Sequence, residues 1–315
     1  MGPTVMEAVG LVARFVAYVA ILTIVGAVAF RLLILKRSGL TTGTIGRGSR
    51  RSAAVGAFAS LMLIATDVVK LGVQTSEMRF PTESWITVGT TMVLETSWGT
   101  VWMIQMVCAV LLAMTFTLAR KDALPRWNGL ALLSIALAAT PAFASHAMTA
   151  RRFAQYTVAA DIVHVLGASL WIGTLLVMFA SVLGGDGNEP RSEQTVSDGR
   201  ARYIASLLRS FSPIALTGSA LVAVSGLVSS LAHVEHWADL TGTAYGQKLI
   251  VKWLCVGVVV LLGWRNWKYV TPGILTQGPK RMTRAIAAEL LLALVVLGVT
   301  ASLVVTPPPA DMMTR

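Results

Sequence analysis

Long apolar stretches separated by short polar segments dominate the 315-residue sequence. A helix needs about 20 mainly apolar residues to cross the hydrocarbon layer of a membrane, and eight stretches approach that length. The pattern therefore predicts an all-α polytopic membrane protein with eight transmembrane helices. The predicted spans are residues 9–35, 53–73, 98–118, 128–146, 156–181, 213–233, 247–264 and 285–305.

Composition supports this class and excludes a soluble domain. Hydrophobic residues make up 55% of the chain, charged residues only 13%, and the mean hydropathy is +0.70. The formal net charge of +11 does not indicate nucleic-acid binding, because the basic residues lie in short loops between apolar spans. The expected surroundings of the chain are a lipid bilayer, with no nucleic-acid partner.

The distribution of Lys and Arg predicts the orientation. Seventeen of the 26 basic residues lie in alternate loops on one side of the predicted bundle, and four lie on the other side. Loops rich in Lys and Arg remain in the cytoplasm. Both chain termini are therefore predicted to be extracytoplasmic, which is periplasmic in an inner membrane.

We expect one membrane domain, residues 1–315, with an internal break. Residues 183–212 are rich in Gly, Ser, Asp and Glu and read as a flexible cytoplasmic linker. This linker separates the first five helices (1–182) from the last three (213–315). A Thr-x-aromatic-Gly phrase occurs at Thr96–Gly99 and again at Thr243–Gly246. The phrase suggests two parallel four-helix halves, or equally a shared way of starting a helix.

The fifth predicted span carries ionisable residues in an apolar run. Asp161, His164 and Trp171 recur at helical spacing and fall on or near one face. Ionisable groups in hydrocarbon are costly unless they face a protein interior, so they mark a functional-site hypothesis.

Histidines and methionines near the outer side suggest a metal site. All four histidines, at 146, 164, 233 and 236, are predicted to lie toward this side. Imidazole binds copper, zinc and iron, and methionine sulfur selects Cu(I). The candidate metal ligands are His146, His164, His233, Met148, Met103 and Met106, with Asp161 and Trp171 in support. Packing is the alternative role for each methionine, and interfacial placement for each histidine.

Asp161 has two alternative roles. One is to accept the second ring N–H of a metal-binding His164, which would orient that ring. The other is an ion pair with Arg151 or Arg152 at the outer surface.

Several short motifs together resemble the copper resistance protein D (CopD) family. They span most of the chain, most strongly residues 140–305. The motifs are Ser145-His146-Ala147, Asp161-x-x-His164 followed by Trp171-Ile172-Gly173, Thr243-x-Tyr245-Gly246-x-Lys248-Leu249-x-x-Lys252, and Arg284 with Glu289. One departure is Thr174, where the family often has a second glycine.

The resemblance implies a multi-pass protein of the bacterial inner membrane that admits copper to the cytoplasm and is not an enzyme. It points to His146, His164 and His233 as metal positions with Asp161 as support, and to a separate periplasmic copper-binding partner. The sequence contains no G-x-x-x-x-G-K-[ST] motif, so ATP-driven pumping by this chain is not expected.

Two alternatives remain open. Histidines on adjacent membrane helices also hold haem, as in electron-transfer proteins. A copper-delivery or assembly factor would bind copper without moving it across the membrane.

Overall fold

The computed structural model describes residues 5–119, 125–143, 154–183, 193–233, 238–270 and 279–306. These residues are almost entirely helical and include no β-strand, which confirms the predicted all-α class for this part of the chain. Short π-helical turns follow three of the helices, at Phe30–Ile34, Ser169–Gly173 and Asn266–Val270. The helices are α1 Val5–Ala29, α2 Thr42–Met78, α3 Trp85–Glu95, α4 Ser97–Ala119, α5 Pro125–Phe143, α6 Ala154–Ala168, α7 Thr174–Leu183, α8 Glu193–His233, α9 Asp239–Gly242, α10 Ala244–Arg265 and α11 Pro279–Val304.

Within the described residues, seven helical segments are long and apolar enough to cross a membrane. They are Val5–Arg37, Thr42–Met78, Ser97–Ala119, Tyr156–Ser181, Arg202–Leu231, Ala244–Tyr269 and Met282–Val304. The remaining predicted span, 128–146, falls on α5, whose apolar part Trp127–Phe143 is shorter. The last three residues of the predicted span, 144–146, lie outside the described part. A count of eight spans and outward-facing termini therefore stay predictions.

Helix α1 forms the centre of the bundle. Every residue from Ala20 to Phe30 is buried, and the helix packs against α2, α5, α7, α11 and the π-helical turn Ser169–Gly173. Gly26 and Gly173 meet at the crossing, where a Cβ atom on either would overlap the backbone of the other segment. Small residues let membrane helices approach this closely, so the crossing depends on both glycines.

Thr174 fits this crossing although the family often has glycine there. Its side chain is fully buried, and its hydroxyl donates to the carbonyls of Leu170 and Trp171 within its own helix. The hydroxyl is therefore satisfied without a partner from α1, and the close packing at Gly173 is retained.

Helix α8 begins much earlier than the predicted start at residue 213. It runs from Glu193, so the second part of the predicted linker 183–212 is helical. Ile204, Leu207 and Phe211 recur at helical spacing and are buried, and the Ser206 hydroxyl donates to the Ser38 carbonyl beyond the end of α1. This buried face explains why the segment folds onto the bundle. Pro213 lies inside the helix, as proline can in membrane helices; it does not start the helix.

The repeated threonine phrase forms the same local structure twice. Thr96 Oγ1 accepts the Gly99 N–H at 2.9 Å, and Thr243 Oγ1 accepts the Gly246 N–H at 3.0 Å. A Cβ at either glycine would overlap the backbone of the short helix before it, α3 or α9. Each threonine thus starts a helix, α4 or α10, against a short preceding helix. The wider division into two parallel halves stays a prediction.

We predict that Gly173→Ala destabilises the protein by about 3 kcal/mol or more, at or beyond the upper end of typical overpacking costs. The added methyl group must displace the α1 backbone. Thermal unfolding of the detergent-solubilised protein measures the change. Gly257→Ala is the matched control, since a Cβ there meets nothing within 4 Å. Equal unfolding temperatures for the two variants would contradict the proposed importance of the crossing.

Candidate functional site

A cavity of about 260 Å³ lies between α1, α6, α8, α10 and α11. A single water molecule occupies about 30 Å³ of liquid, so the cavity has room for an ion with part of its hydration shell. Its wall is mainly apolar, as in most ligand sites. The polar side chains that line it are Tyr18, Asp161, His164, Trp171, Ser229, Ser230, Tyr245, Lys252, Thr300 and Thr306.

The cavity is long in the direction of the helix axes. Its lining residues on α10 run from Tyr245, near the start of that helix, to Val259. At 1.5 Å per residue this distance is about 21 Å, compared with about 30 Å for the hydrocarbon layer. The lining ends at Trp171, Val259 and Ala293, which we call the floor. The lining along α10 is therefore about two thirds as long as the hydrocarbon layer is thick.

Asp161 presents a carboxylate to this cavity and is held by neighbours on two other helices. Its Oδ1 accepts a hydrogen bond from Ser229 Oγ at 2.8 Å. Lys252 and Tyr245 on α10 line the same cavity. A carboxylate and an ammonium group in one cavity balance each other's charge, which lowers the cost of placing either at this depth.

His164 is oriented by a serine of α8. Its Nδ1 lies 3.1 Å from Ser225 Oγ, and that hydroxyl donates its hydrogen to the Leu221 carbonyl at 2.5 Å. A serine hydroxyl has one hydrogen, so its donation to Leu221 favours the Nδ1–H of His164 as the donor to Ser225. In that tautomer the other ring nitrogen, Nε2, carries a lone pair and is able to bind a metal ion.

The space around the His164 ring depends on Gly226. A Cβ atom built there would lie 3.3 Å from His164 Cε1. Ser225 and Gly226 therefore position the ring together, one by a hydrogen bond and the other by having no side chain. Of the two roles predicted for Asp161, orienting His164 falls to Ser225 in the structure, while Asp161 accepts from Ser229. The alternative ion pair with Arg151 or Arg152 lies outside the described residues.

Trp171 connects the cavity floor to a buried carboxylate. Only 7% of its surface is exposed, and its Nε1–H donates to Glu289 Oε1 at 3.3 Å. Asn266 Nδ2 donates to the other oxygen, Oε2, at 3.2 Å. The face predicted from the spacing of Asp161, His164 and Trp171 thus lines one cavity. Each of the three side chains hydrogen-bonds to a different partner, which is Ser229, Ser225 or Glu289.

The other predicted ligands are placed as follows. His146 and Met148 lie outside the described residues, and so does the side chain of His233. Met103 and Met106 lie on α4, which contributes no lining residue to the cavity. The described residues contain no group of three or more His, Cys, Asp or Glu side chains that could hold a metal ion. A haem would need a second axial ligand opposite His164, and no other histidine side chain is described.

A separate polar cluster lies between α2, α4 and α5. Asp67 is fully buried and its Oδ1 accepts from Lys70 Nζ and Gln105 Nε2, both at 2.9 Å. Gln105 Oε1 accepts from Thr140 at 3.2 Å. These hydrogen bonds join α2, α4 and α5, while Asp67 Oδ2 is buried without a hydrogen-bond partner. None of the residues in this cluster lines the cavity.

The sequence reasoning missed Ser225, Ser229 and the cavity position of Lys252. The two serines are four residues apart and so share one face of α8, but small hydroxyl residues are common in membrane helices. Lys252 was noticed only within a family motif. Its position inside an apolar helix was the available signal, because such a lysine needs a counter-charge or a water-filled space.

Comparison with known proteins now identifies the family. Residues 5–153 match the model of the copper resistance protein D-like N-terminal domain, and residues 205–303 match the model of copper resistance protein D. The chain belongs to the copper resistance protein D (CopD) family. The CopD matches include α1, α8, α10 and most of α11, whereas Asp161, His164 and Trp171 lie between the two matched regions.

One curated relative is the copper transport protein CutJ of Bacillus subtilis (strain 168). It is 27% identical over 225 residues, which cover 69% of this chain and 38% of the relative. The chain therefore spans well under half the length of that relative. No solved structure matches the chain.

We predict that Asp161 and Lys252 are coupled energetically. Asp161→Asn or Lys252→Met alone removes one charge of the pair, and we expect each to destabilise the protein by about 2 kcal/mol, less than for fully buried pairs because both groups face a cavity. The double variant should recover most of this loss. Thermal unfolding in detergent gives the three values, and a double variant equal to the sum of the single ones would show that the two charges are independent.

Proposed function

We propose that this protein admits copper ions to the cytoplasm across the bacterial inner membrane, through the cavity between α1, α6, α8, α10 and α11. The observation that supports this most directly is the cavity itself, which is about 21 Å long by the helical rise and contains both a carboxylate and an imidazole ready to bind metal. CopD membership supports copper as the cargo. The transport activity is carried over from a relative that this chain covers only in part, so it belongs to the proposal.

In the proposed binding step, a copper ion enters from the end of the bundle where α10 begins. The Asp161 carboxylate attracts the cation and Nε2 of His164 binds it. Cu(I) is favoured, with imidazole and thioether ligands completing its shell. We propose His146, His233 and Met148 for this purpose, since the predicted topology brings them to the same end. The proposed route does not use Met103 or Met106, because α4 lies outside the cavity wall.

Lys252 has a proposed role in balancing charge. In the empty cavity its ammonium group offsets the Asp161 carboxylate. An arriving copper cation competes for the same carboxylate, and the flexible lysine stem allows the ammonium group to move away. The site thereby avoids holding an uncompensated negative charge in the absence of copper.

The proposed setting includes a donor and a driving force. A periplasmic copper-binding protein would deliver the ion to the outer end of the bundle. Passage would be channel-like or driven by a gradient, because the sequence has no phosphate-binding loop for ATP. Loops rich in Lys and Arg face the cytoplasm in this proposal, and both termini face the periplasm.

We predict that copper binding depends on His164 and on the serine that orients it. His164→Ala should remove copper from the purified protein, and Ser225→Ala should weaken copper affinity by about 10-fold, as loss of an orienting partner does at metal sites. Ser219→Ala is the matched control on the same helix, because its hydroxyl bonds only to the Leu216 carbonyl. Metal analysis and competition with a Cu(I) chelator provide the measurements; unchanged binding in His164→Ala would rule out this site.

We also predict that the native protein carries copper into sealed vesicles. Uptake should exceed that of empty vesicles and should fall to the empty-vesicle rate in His164→Ala. Copper bound without uptake would favour the delivery-factor alternative and overturn the transport proposal. A Soret band in the purified protein, lost in His164→Ala, would favour haem instead.

A further inference from the structure

A second acidic group lies just beyond the floor of the cavity. The Glu289 side chain on α11 is only 6% exposed. One carboxylate oxygen accepts from Trp171 and the other from Asn266, which also donates to the Ala285 carbonyl at 3.4 Å. The two donors come from two different segments, the π-helical turns Ser169–Gly173 and Asn266–Val270, so both carboxylate oxygens are held in place.

Neutral groups alone surround this carboxylate in the described residues. Helix α11 packs against α1, α7, α8, α10 and the π-helical turn Asn266–Val270, and Glu289 also contacts the turn Ser169–Gly173. Within these described segments, the side chains that hydrogen-bond to the Glu289 carboxylate are those of Trp171 and Asn266. Neither of them is charged. Arg265 on α10 and Arg284 on α11 are exposed, and neither acts on Glu289. Glu289 therefore differs from Asp161 and Asp67, each of which has a lysine.

The carboxylate lies on the continuation of the cavity wall. On α10 the lining residues Lys252, Val256 and Val259 are followed on the same face by Gly263 and Asn266. A Cβ atom on Gly263 would lie 3.3 Å from Glu289 Oε1, so this glycine leaves room for the acid. On α11, Glu289 lies one helical turn before the floor residue Ala293, on the side away from the cavity.

Glu289 thus lies in the barrier between the cavity and the opposite end of the bundle. From Val259 at the floor to Asn266 beside Glu289 the distance along α10 is about 10 Å. Trp171 separates the carboxylate from the cavity, and its hydrogen bond to Oε1 crosses that boundary. An ion that leaves the cavity toward this end has to pass the tryptophan and the acid.

The surroundings of Glu289 fit a proton better than a copper ion. Copper sites use several nitrogen or sulfur ligands, whereas this carboxylate has two N–H donors and belongs to no group of three or more His, Cys, Asp or Glu among the described residues. A proton needs only the carboxylate. Acidic residues within membrane-spanning segments also mark proton relays in pumps and transporters.

We infer that Glu289 is a proton-exchange site in the barrier below the cavity and that it couples copper passage to proton movement. The carboxyl group releases its proton to water on one side of the barrier and takes a proton from water on the other. Exchange with the cavity requires the Trp171 indole to move away from Oε1. The inference rests on the proposed transport function and adds the coupling ion to it.

The test uses the full-length protein in sealed vesicles that contain a pH-sensitive dye. Copper is added outside, and copper uptake and internal pH are recorded together. In the native protein, internal pH should change in proportion to copper uptake. Glu289→Gln keeps the size and one of the two acceptor oxygens, replaces the other oxygen with an NH2 group, and cannot exchange a proton. It should lower proton movement and copper passage by about 100-fold, the lower range for loss of a positioned proton-transfer group, while copper bound at His164 is unchanged.

Two further variants separate proton exchange from a structural role. Glu289→Asp retains a carboxyl group and should keep measurable copper-linked proton movement, whereas a purely structural role would make it as defective as Glu289→Gln. Asp67→Asn removes a buried acid outside the cavity and should leave the ratio of protons to copper at the native value. Size-exclusion profiles verify that each variant is folded.

The outcomes distinguish this inference from the proposed function. Copper uptake by the native protein without any pH change would overturn the inference and leave transport standing. A Glu289→Gln protein that takes up copper and moves protons at the native rates would also overturn it. Native vesicles that take up no copper would overturn the transport proposal and the inference with it.

Discussion

The cost of a charge at hydrocarbon depth is the constraint that organises this protein. Each ionisable group within the bundle is stabilised in a different way. Asp67 pairs with Lys70 and an amide, Asp161 faces a cavity that also contains Lys252, and Glu289 relies on two neutral donors. The hydrogen bonds of Asp67 Oδ1 join α2 to α4, away from the cavity. The other two groups lie in the cavity or just beyond its floor, which is why the functional proposals centre on them.

The close crossing of α1 with the π-helical turn after α6 makes that cavity possible. Gly26 and Gly173 bring the two backbones into contact, and α1 is buried throughout this region. Side chains just outside the crossing, Leu22 on one segment and Trp171 on the other, then line the cavity. A tight contact at one level therefore accompanies an open space at the next. The π-helical turn brings both a packed glycine and a cavity-facing tryptophan into five consecutive residues.

Two helices of the chain start with the same local structure but pack against different neighbours. Thr96 and Thr243 start α4 and α10 in the same way. Helix α4 then packs against α2 through Gln105 and Asp67, whereas α10 packs mainly against α9 and α11. The side of α10 that carries Tyr245 and Lys252 borders the cavity. The residue types account for the difference in packing. The Gln105 amide donates directly to the buried Asp67 carboxylate, whereas Lys252 lines a cavity that contains other polar side chains.

The sequence alone determined the membrane class, most helix positions, the shared face of Asp161, His164 and Trp171, and the family resemblance. These properties follow from hydropathy and from the 3.6-residue helical period, which are local and visible in one stretch of chain. The predicted start of α8 at residue 213 was wrong, because Pro213 and the polar residues before it are typical of a loop. The helix extends back to Glu193 because its buried face packs near the end of α1. The tertiary structure decided that Ser225 orients His164, that Trp171 reaches Glu289, and that Lys252 lines the same cavity as Asp161. The two hydrogen bonds join residues 61 and 118 positions apart, and all three arrangements depend on where helices cross, which no local pattern records.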